Sequence, residues 1–212
     1  MPVKILFIEE NAIKQEALKL CLSENAGIQF DILNDFNALE AALSSESYTH
    51  LVAQSVIKNE VVLAFTHLIQ LPLLIMNDTG LDLSEISYAI TKSPLSYVTL
   101  FDFLVQSTPI SYASIEDYAM DDEEFFEQIK ALMVDEFKLN LEEIPALIET
   151  NNLSELKSMA HQMSSKFAML DLPQSALLSK EIDVHILNDA EKQIKNMKIL
   201  LVDLEIALAH LQ

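Results

Sequence analysis

The stretch KILFIEENAIKQEALKLCL, residues 4–22, decides the fold of the first half of the chain. Its apolar run ILFI at 5–8 contains β-branched residues and ends at two acids, which predicts a buried strand. From Ala12 to Leu22 the apolar residues recur at the intervals of a helix. A strand followed directly by a helix is how an α/β fold begins.

The pattern continues outward to about residue 105. Further strand candidates are IQFDIL at 28–33, HLVAQSV at 50–56, LPLLIM at 71–76 and ISYAI at 86–90. Helical periodicity returns at 36–43 and 95–105. The alternation predicts a five-stranded, parallel, doubly wound sheet of the flavodoxin type, covered on both faces. Its chemistry should gather where the strands end.

The alternation stops near residue 108, which predicts two domains. STPISYASIEDY, with its Pro, Ser and scattered acids, predicts a linker, so the domains are 1–108 and 119–212, joined by 109–118. The second domain shows only helical periodicity, interrupted by Pro145, Asn151-Asn152 and Pro173. The predicted helices lie near 122–139, 140–150, 153–170, 173–184 and 188–211.

Composition narrows the function classes. The net charge is −20 and all 13 basic residues are Lys, so phosphate backbones and anionic membranes are repelled. The single cysteine, Cys21, excludes an intrachain disulfide. No signal-peptide pattern and no apolar run of about 18 residues is present. We expect a cytoplasmic protein that binds neither nucleic acid nor membrane.

The segment LKSMAHQMSSKFAML, residues 156–170, carries the chemistry of the helical half. Its apolar residues Met159, Met163, Phe167 and Leu170 share one helical face, whereas His161 falls on another, with Lys157, Ser164 and Ser165. An imidazole that accepts a phosphoryl group needs a free neutral nitrogen, open space and a nearby cation. From spacing alone, an ordinary surface histidine is favoured over this role for His161.

The same segment resembles the histidine phosphotransfer (HPt) family, and the resemblance covers about residues 118–212. The family's pattern Ala-His-x-Leu-Lys-Gly corresponds here to 160–165. The resemblance implies an up-down four-helix bundle in which His161 is the phosphoacceptor, supported by Lys157, Ser164 and Ser165. Ser164 replaces the family's Lys, which leaves Lys157 as the nearby cation, since Lys166 points roughly 140° away.

Residues 3–106 resemble response-regulator receiver domains. The resemblance places Glu9 and Glu10 at the acidic pair that binds Mg²⁺ and Lys92 at the lysine that ends the fifth strand. Gln54 stands at the phosphoacceptor position and Asn77 replaces the hydroxyl residue. Because an amide is neither a useful nucleophile nor a charged ligand, this domain is predicted to be a degenerate receiver that cannot be phosphorylated.

Glu9 and Glu10 could still hold a divalent ion weakly, because hard cations favour carboxylate oxygen. The favoured alternative is that both acids are solvated or pair with Lys92. We therefore predict no tightly bound cofactor and no metal site of the chain's own.

Two functions remain open. In the first, His161 carries phosphoryl groups between receiver domains of a sensor kinase or a response regulator, whose own Mg²⁺ assists the transfer, and the degenerate receiver serves for docking or regulation. Such a chain is a phosphocarrier rather than an independent enzyme. In the second, it is a non-catalytic adaptor of two-component signalling. By analogy with receivers, the apolar segment 95–105 would permit a homodimer.

Overall fold

The structure is a computed structural model that describes residues 3–23, 27–84 and 86–212. These residues form two units, 3–107 and 108–212. No helix among the described residues is both long and apolar enough to cross a membrane.

A five-stranded parallel sheet forms the middle of the first unit. The elements of this unit are, in chain order, β1 (Lys4–Ile8), α1 (Ala12–Ser23), β2 (Gln29–Leu33), α2 (Leu39–Ser45), β3 (His50–Gln54), β4 (Val56–Ile57), β5 (Glu60–Val61), β6 (Leu73–Met76), β7 (Ala89–Thr91) and α3 (Tyr97–Ser107). Two 3₁₀ segments, Phe36–Ala38 and Val62–Leu68, lie between them.

The strand order in the sheet is β2-β1-β3-β6-β7, with β4 and β5 forming a separate two-stranded ribbon. Without that ribbon, the order is 2-1-3-4-5, the flavodoxin-like order of doubly wound sheets. The predicted parallel, receiver-like sheet is therefore confirmed. Strands β3 and β6 are buried along their whole length, which explains the apolar residues of β6 and of positions 51–53 in β3.

The crossovers depart from the predicted alternation. Among the described residues, only the first two of the four crossovers contain an α-helix. The chain passes from β3 to β6 through the ribbon and a 3₁₀ segment. Between β6 and β7 it follows a loop rich in Asp, Asn and Ser, where Asn77 bonds to both backbone groups of Leu81 and Gly80 has a φ of +69°.

Five helices form the second unit: α4 (Ala113–Ala119), α5 (Glu123–Glu149), α6 (Leu153–Met169), α7 (Pro173–His185) and α8 (Ala190–Leu211). Three of them begin where an Asp or Asn side chain accepts a hydrogen bond from a backbone N–H three residues on, namely Asp122, Asn152 and Asp189.

Helices α5 to α8 pack in sequence, and α8 also packs on α5. Contacts across α6 and α7 run in opposite directions along the chain, His161 to Asp183 and Ser164 to Ala176, so these helices are antiparallel. The apolar faces meet in one core that includes Phe137 and Phe167, whose ring centroids lie 5.8 Å apart.

Helix α5 corrects the prediction of two helices at 122–139 and 140–150. It runs for 27 residues through Pro145. Pro145 is exposed, so water can satisfy the backbone groups that the proline leaves unpaired. Phe137 and Ile144 are fully buried on either side of the predicted break. Their common packing outweighs the cost of about 3 kcal/mol that a proline imposes inside a helix.

The predicted linker 109–118 belongs to the helical unit. Ile115 on α4 is fully buried in its core, and the Tyr112 hydroxyl donates to the backbone oxygen of His210 at 2.8 Å. The apolar residues scattered among the serines of this segment bind it to the helices. The division of the chain therefore falls between residues 107 and 108.

Candidate functional site

His161 lies on the exposed side of α6, as its spacing predicts. Leu156, Met163 and Phe167 of the same helix are fully buried, because they form its core-facing stripe. The side chain of His161 is 77% exposed. An imidazole placed in this way is open to a macromolecular partner.

One ring nitrogen of His161 is held by a carboxylate that the sequence analysis did not single out. Nδ1 lies 2.9 Å from Oδ2 of Asp183, on α7. Hydrogen bonds from His161 and Lys157 keep the pKa of Asp183 below its usual value. Asp183 is then ionised and can only accept, so Nδ1 must carry the hydrogen. In the neutral ring, the lone pair is therefore on Nε2.

Lys157 differs from its predicted role beside the transferred group. Its Nζ lies 3.0 Å from Oδ1 of Asp183 and also donates to the backbone oxygen of that residue. The two carboxylate oxygens of Asp183 are thus divided between Lys157 and His161. Lys157 positions the carboxylate that positions the ring.

Ser164 and Ser165 are small, as the resemblance requires, but their hydroxyl groups are used inside the unit. Ser164 donates to the backbone oxygen of Ala176 at 3.1 Å, and Ser165 donates to that of Gln162 at 3.0 Å. The first bond ties α6 to α7. Neither hydroxyl is directed at the imidazole, so both residues contribute space rather than a donor.

His161 lines an open groove of about 970 Å³ between α6 and α7, called here the His161 groove. Its lining includes two lysines, Lys166 and Lys180. Lys166 forms an ion pair with Glu136 of α5 and is mostly buried. Lys180 is exposed on α7, and no ion pair or hydrogen bond of its ammonium group is found among the described residues.

The carboxyl ends of β1, β3 and β6 bring together a second polar group, called here the sheet-edge cluster. It consists of Glu9, Gln54, Asp78, Ser93 and Lys14. Gln54 is 5% exposed and its Nε2 lies 2.7 Å from Oε2 of Glu9, 3.1 Å from Oγ of Ser93 and 3.3 Å from Oδ2 of Asp78. The amide is thus a donor held among acids.

Asp78 is the second carboxylate of the sheet-edge cluster. Its partial burial disfavours the charge, but hydrogen bonds from Lys14 and Ser93 outweigh that effect and hold its pKa well below the usual range. The Lys14 ammonium lies 2.6 Å from Oδ2, and the backbone N–H of Ser93 lies 2.7 Å from Oδ1. A lysine from α1 therefore supplies the counter-charge at this edge.

The remaining receiver-type positions lie outside the sheet-edge cluster. Glu10 accepts from the backbone N–H of Lys58 at 3.1 Å, and Asn77 closes its own loop onto Leu81. Lys92 is exposed, and no pairing of Lys92 with Glu9 or Glu10 is found in the described part of the chain. Ser93, one residue further on, contacts Gln54 in its place.

Glu9 is 2% exposed, so the prediction of a solvated acid is wrong for Glu9, whereas Glu10 is exposed. Both oxygens of Glu9 already accept hydrogen bonds, from the backbone N–H of Asn11 at 2.9 Å and from Gln54. No group of three or more His, Cys, Asp or Glu side chains suited to a metal ion occurs among residues 3–23, 27–84 and 86–212.

Sequence reasoning missed Asp183, Lys180, Asp78, Lys14 and Ser93. A signal existed for Asp78 and Ser93, which lie two residues after the ends of β6 and β7. For Asp183 and Lys180 there was none, because their approach to His161 depends on how α7 is aligned beside α6.

Comparisons with known proteins add little to this geometry. No family model matches the chain, and no curated protein matches it. Among solved structures, full-length FixJ from B. japonicum is similar over 99% of this chain and 98% of its own, with 18% sequence identity and a TM-score of 0.41. A likeness this weak establishes neither a shared fold nor a shared function.

Proposed function

We propose that the chain is a phosphorelay carrier in which His161 accepts a phosphoryl group from the aspartyl phosphate of a receiver domain and passes it to another. The observation that carries this proposal is the exposed imidazole whose Nδ1 is bonded to Asp183. That bond leaves the Nε2 lone pair free on the open side of the ring. The HPt resemblance of residues 118–212 and the antiparallel packing of α5 to α8 agree with it.

The chemistry assigns a role to each group. Nε2 attacks phosphorus, the P–O bond of the acyl phosphate breaks, and its electron pair returns to the carboxylate of the receiver aspartate. The ring gains positive charge while its hydrogen stays on Nδ1, 2.9 Å from the ionised Asp183. A carboxylate in that position stabilises an imidazolium, as in catalytic triads. Mg²⁺ would come with the partner receiver, where the acyl phosphate resides.

The surroundings of His161 suit a protein partner. The His161 groove is open, and Leu177 of its lining is 60% exposed. Val184 of α7 and Leu187, just beyond the end of this helix, are also exposed. Exposed apolar side chains around a polar centre are typical of protein-binding surfaces. We assign this face to the receiver domain of a sensor kinase or a response regulator.

The sheet unit has a different role in the proposal. Gln54 occupies the acceptor position, and both carboxylates of the sheet-edge cluster already accept hydrogen bonds within the unit. We assign it docking or regulation, with no phosphorylation of its own.

Transfer of label tests the proposal. Purified receiver domains, phosphorylated with radioactive acetyl phosphate and Mg²⁺, are incubated with the full chain. We expect label on the chain that is stable in alkali and labile in acid, as a phosphoramidate is. His161→Gln should abolish it, whereas His185→Gln, an exposed histidine of the same unit, and Gln54→Ala should keep it.

A non-catalytic adaptor is the second candidate, favoured by the satisfied sheet-edge cluster and by Ser164 at the family's lysine position. It predicts that no receiver labels the chain, although receivers still bind it. Label that survives His161→Gln would contradict the carrier and place the acceptor elsewhere.

A further inference from the structure

The phosphoryl group carried by His161 needs a cation, and the expected position for one holds Ser164. A dianionic phosphoryl group on an exposed nitrogen is stabilised by a nearby ammonium or guanidinium group. The chain contains no arginine, so the cation must be a lysine.

Among the described residues, the lysines near His161 already form ion pairs, with the exception of Lys180. Lys157 is bound to Asp183, on the Nδ1 side of the ring, opposite the nitrogen that would carry phosphorus. Lys166 is paired with Glu136 and mostly buried. Lys180 lines the same groove as His161, and its ammonium group has no ion pair or hydrogen bond among the described residues.

The alignment of α6 and α7 places Lys180 close to the level of His161 along the two helices. His161 lies opposite Asp183 and Ser164 lies opposite Ala176. Lys180 is three residues before Asp183 and four after Ala176, so all three share one face of α7. Its side chain therefore starts at a level between His161 and Ser164, and the small Ser164 leaves the groove free.

We infer that Lys180 of α7 binds the phosphoryl oxygens on Nε2 of His161 and replaces the cation that is absent at position 164. This inference rests on the proposed phosphorylation of His161. It assigns Lys180 to the phosphoryl group itself rather than to the partner protein.

The test uses a donor that needs no partner. The full chain is treated with phosphoramidate: the Nε2–P bond forms, the P–N bond of the donor breaks, and ammonia departs. The titration of the phosphoryl group is then followed by ³¹P NMR, and the His161 signal is identified by its loss in His161→Gln. The variants are Lys180→Met, Lys180→Arg and a matched control, Lys195→Met, whose lysine is 71% exposed on α8.

We expect the phosphoryl pKa to rise in Lys180→Met by about 0.3 to 0.7 pH unit, the size of a partly exposed ion pair. Lys180→Arg and Lys195→Met should remain close to the wild-type protein. Transfer from a phosphorylated receiver should slow about 3- to 10-fold in Lys180→Met.

A Lys180→Met titration that overlays the wild-type curve would overturn the inference alone. If receiver transfer were slower in that case, Lys180 would serve docking. If phosphoramidate labels His161 with the expected shift but no receiver does, the inference stands and the carrier function fails. If phosphoramidate leaves His161 unlabelled, Nε2 is not free and both are overturned.

Discussion

The two polar sites of this chain differ in what their hydrogen bonds leave open. In the sheet-edge cluster, Glu9 and Asp78 are surrounded by donors from Gln54, Lys14 and Ser93, and every strong acceptor is satisfied within the unit. At His161, Asp183 accepts from Lys157 and from one ring nitrogen, and the other ring nitrogen is open. Hydrogen bonds to every oxygen of a carboxylate leave no atom free to react, whereas a hydrogen bond to one nitrogen of a ring leaves the other nitrogen as the reactive atom.

Replacing one glutamine by glutamate in each region should give the largest difference in stability between them. Gln54→Glu replaces the central donor of the sheet-edge cluster with a third carboxylate beside two others in a buried setting. We expect it to lower the free energy of unfolding of residues 3–107 by about 2 to 4 kcal/mol at pH 7, with recovery as the pH falls. Urea unfolding followed through amide NMR signals of that unit measures the change.

The matched control is Gln162→Glu, on the exposed surface beside His161. It should change the stability of the helical unit by less than about 0.5 kcal/mol. Equal losses of unfolding free energy in the two variants would show that the sheet edge tolerates a carboxylate at position 54. The two sites would then not differ in the way proposed.

The two units should also respond to acid in opposite directions. Burial lowers the pKa of His50 to about 4 and raises the pKa of Asp203 to about 6. His50 takes up a proton at a higher pH in the unfolded sheet unit than in the folded one. The stability of this unit therefore falls as the pH drops from about 6.5 to 4. Asp203 takes up a proton at a higher pH in the folded helical unit than in the unfolded one. The stability of this unit therefore rises as the pH falls from about 6 to 4.

Each effect is on the order of 3 kcal/mol, since one pKa unit corresponds to about 1.4 kcal/mol. Unfolding of each unit measured between pH 4 and 7 tests the pair. His50→Leu and Asp203→Asn should flatten their own curves and leave the other unit unchanged; Asn can still accept from Ser175, whose hydroxyl now donates to Asp203 at 2.7 Å. Parallel curves for the two units would contradict both assignments.

A smaller effect, on phosphoryl transfer, should follow when the hydrogen bond between His161 and Asp183 is removed. Asp183→Ala removes the acceptor of Nδ1, so the hydrogen redistributes between the ring nitrogens and receiver transfer should slow about 10-fold. Asp183→Asn keeps an acceptor without its charge, so its transfer rate should lie between those of the wild-type protein and Asp183→Ala. Side-chain ¹⁵N NMR of His161 reports the tautomer directly.

Glu181→Ala is the matched control, because Glu181 lies on the same helix and pairs with Lys192 at 2.7 Å. Its transfer rate and tautomer should equal those of the wild-type protein. An unchanged tautomer in Asp183→Ala would remove Asp183 from the mechanism.

Sequence reasoning reached the sheet and the exposure of His161 because both depend on local periodicity. The apolar runs of β1, β3 and β6 and the stripe of α6 are visible in the residues themselves. It failed at Pro145, where packing of α5 outweighs a local helix breaker. It failed again at Ile115, where burial is decided by helices far along the chain.

The candidate sites divide in the same way. Gln54 and Glu9 were singled out by the resemblance to receiver domains, and the structure brings them together where the strands of the parallel sheet end. Lys92 was displaced by Ser93, a shift of one residue that no composition pattern reveals. Asp183 and Lys180 required the alignment of two antiparallel helices, which the sequence of neither helix contains.

The bond between Lys14 and Asp78 gives the sheet edge a tethered counterion. An ion drawn from solution comes and goes with its concentration, but an ammonium group built into α1 is always present. Chelators and millimolar magnesium should therefore leave the stability of this unit alike. The charge at this edge of the sheet therefore stays the same whatever ions its surroundings supply.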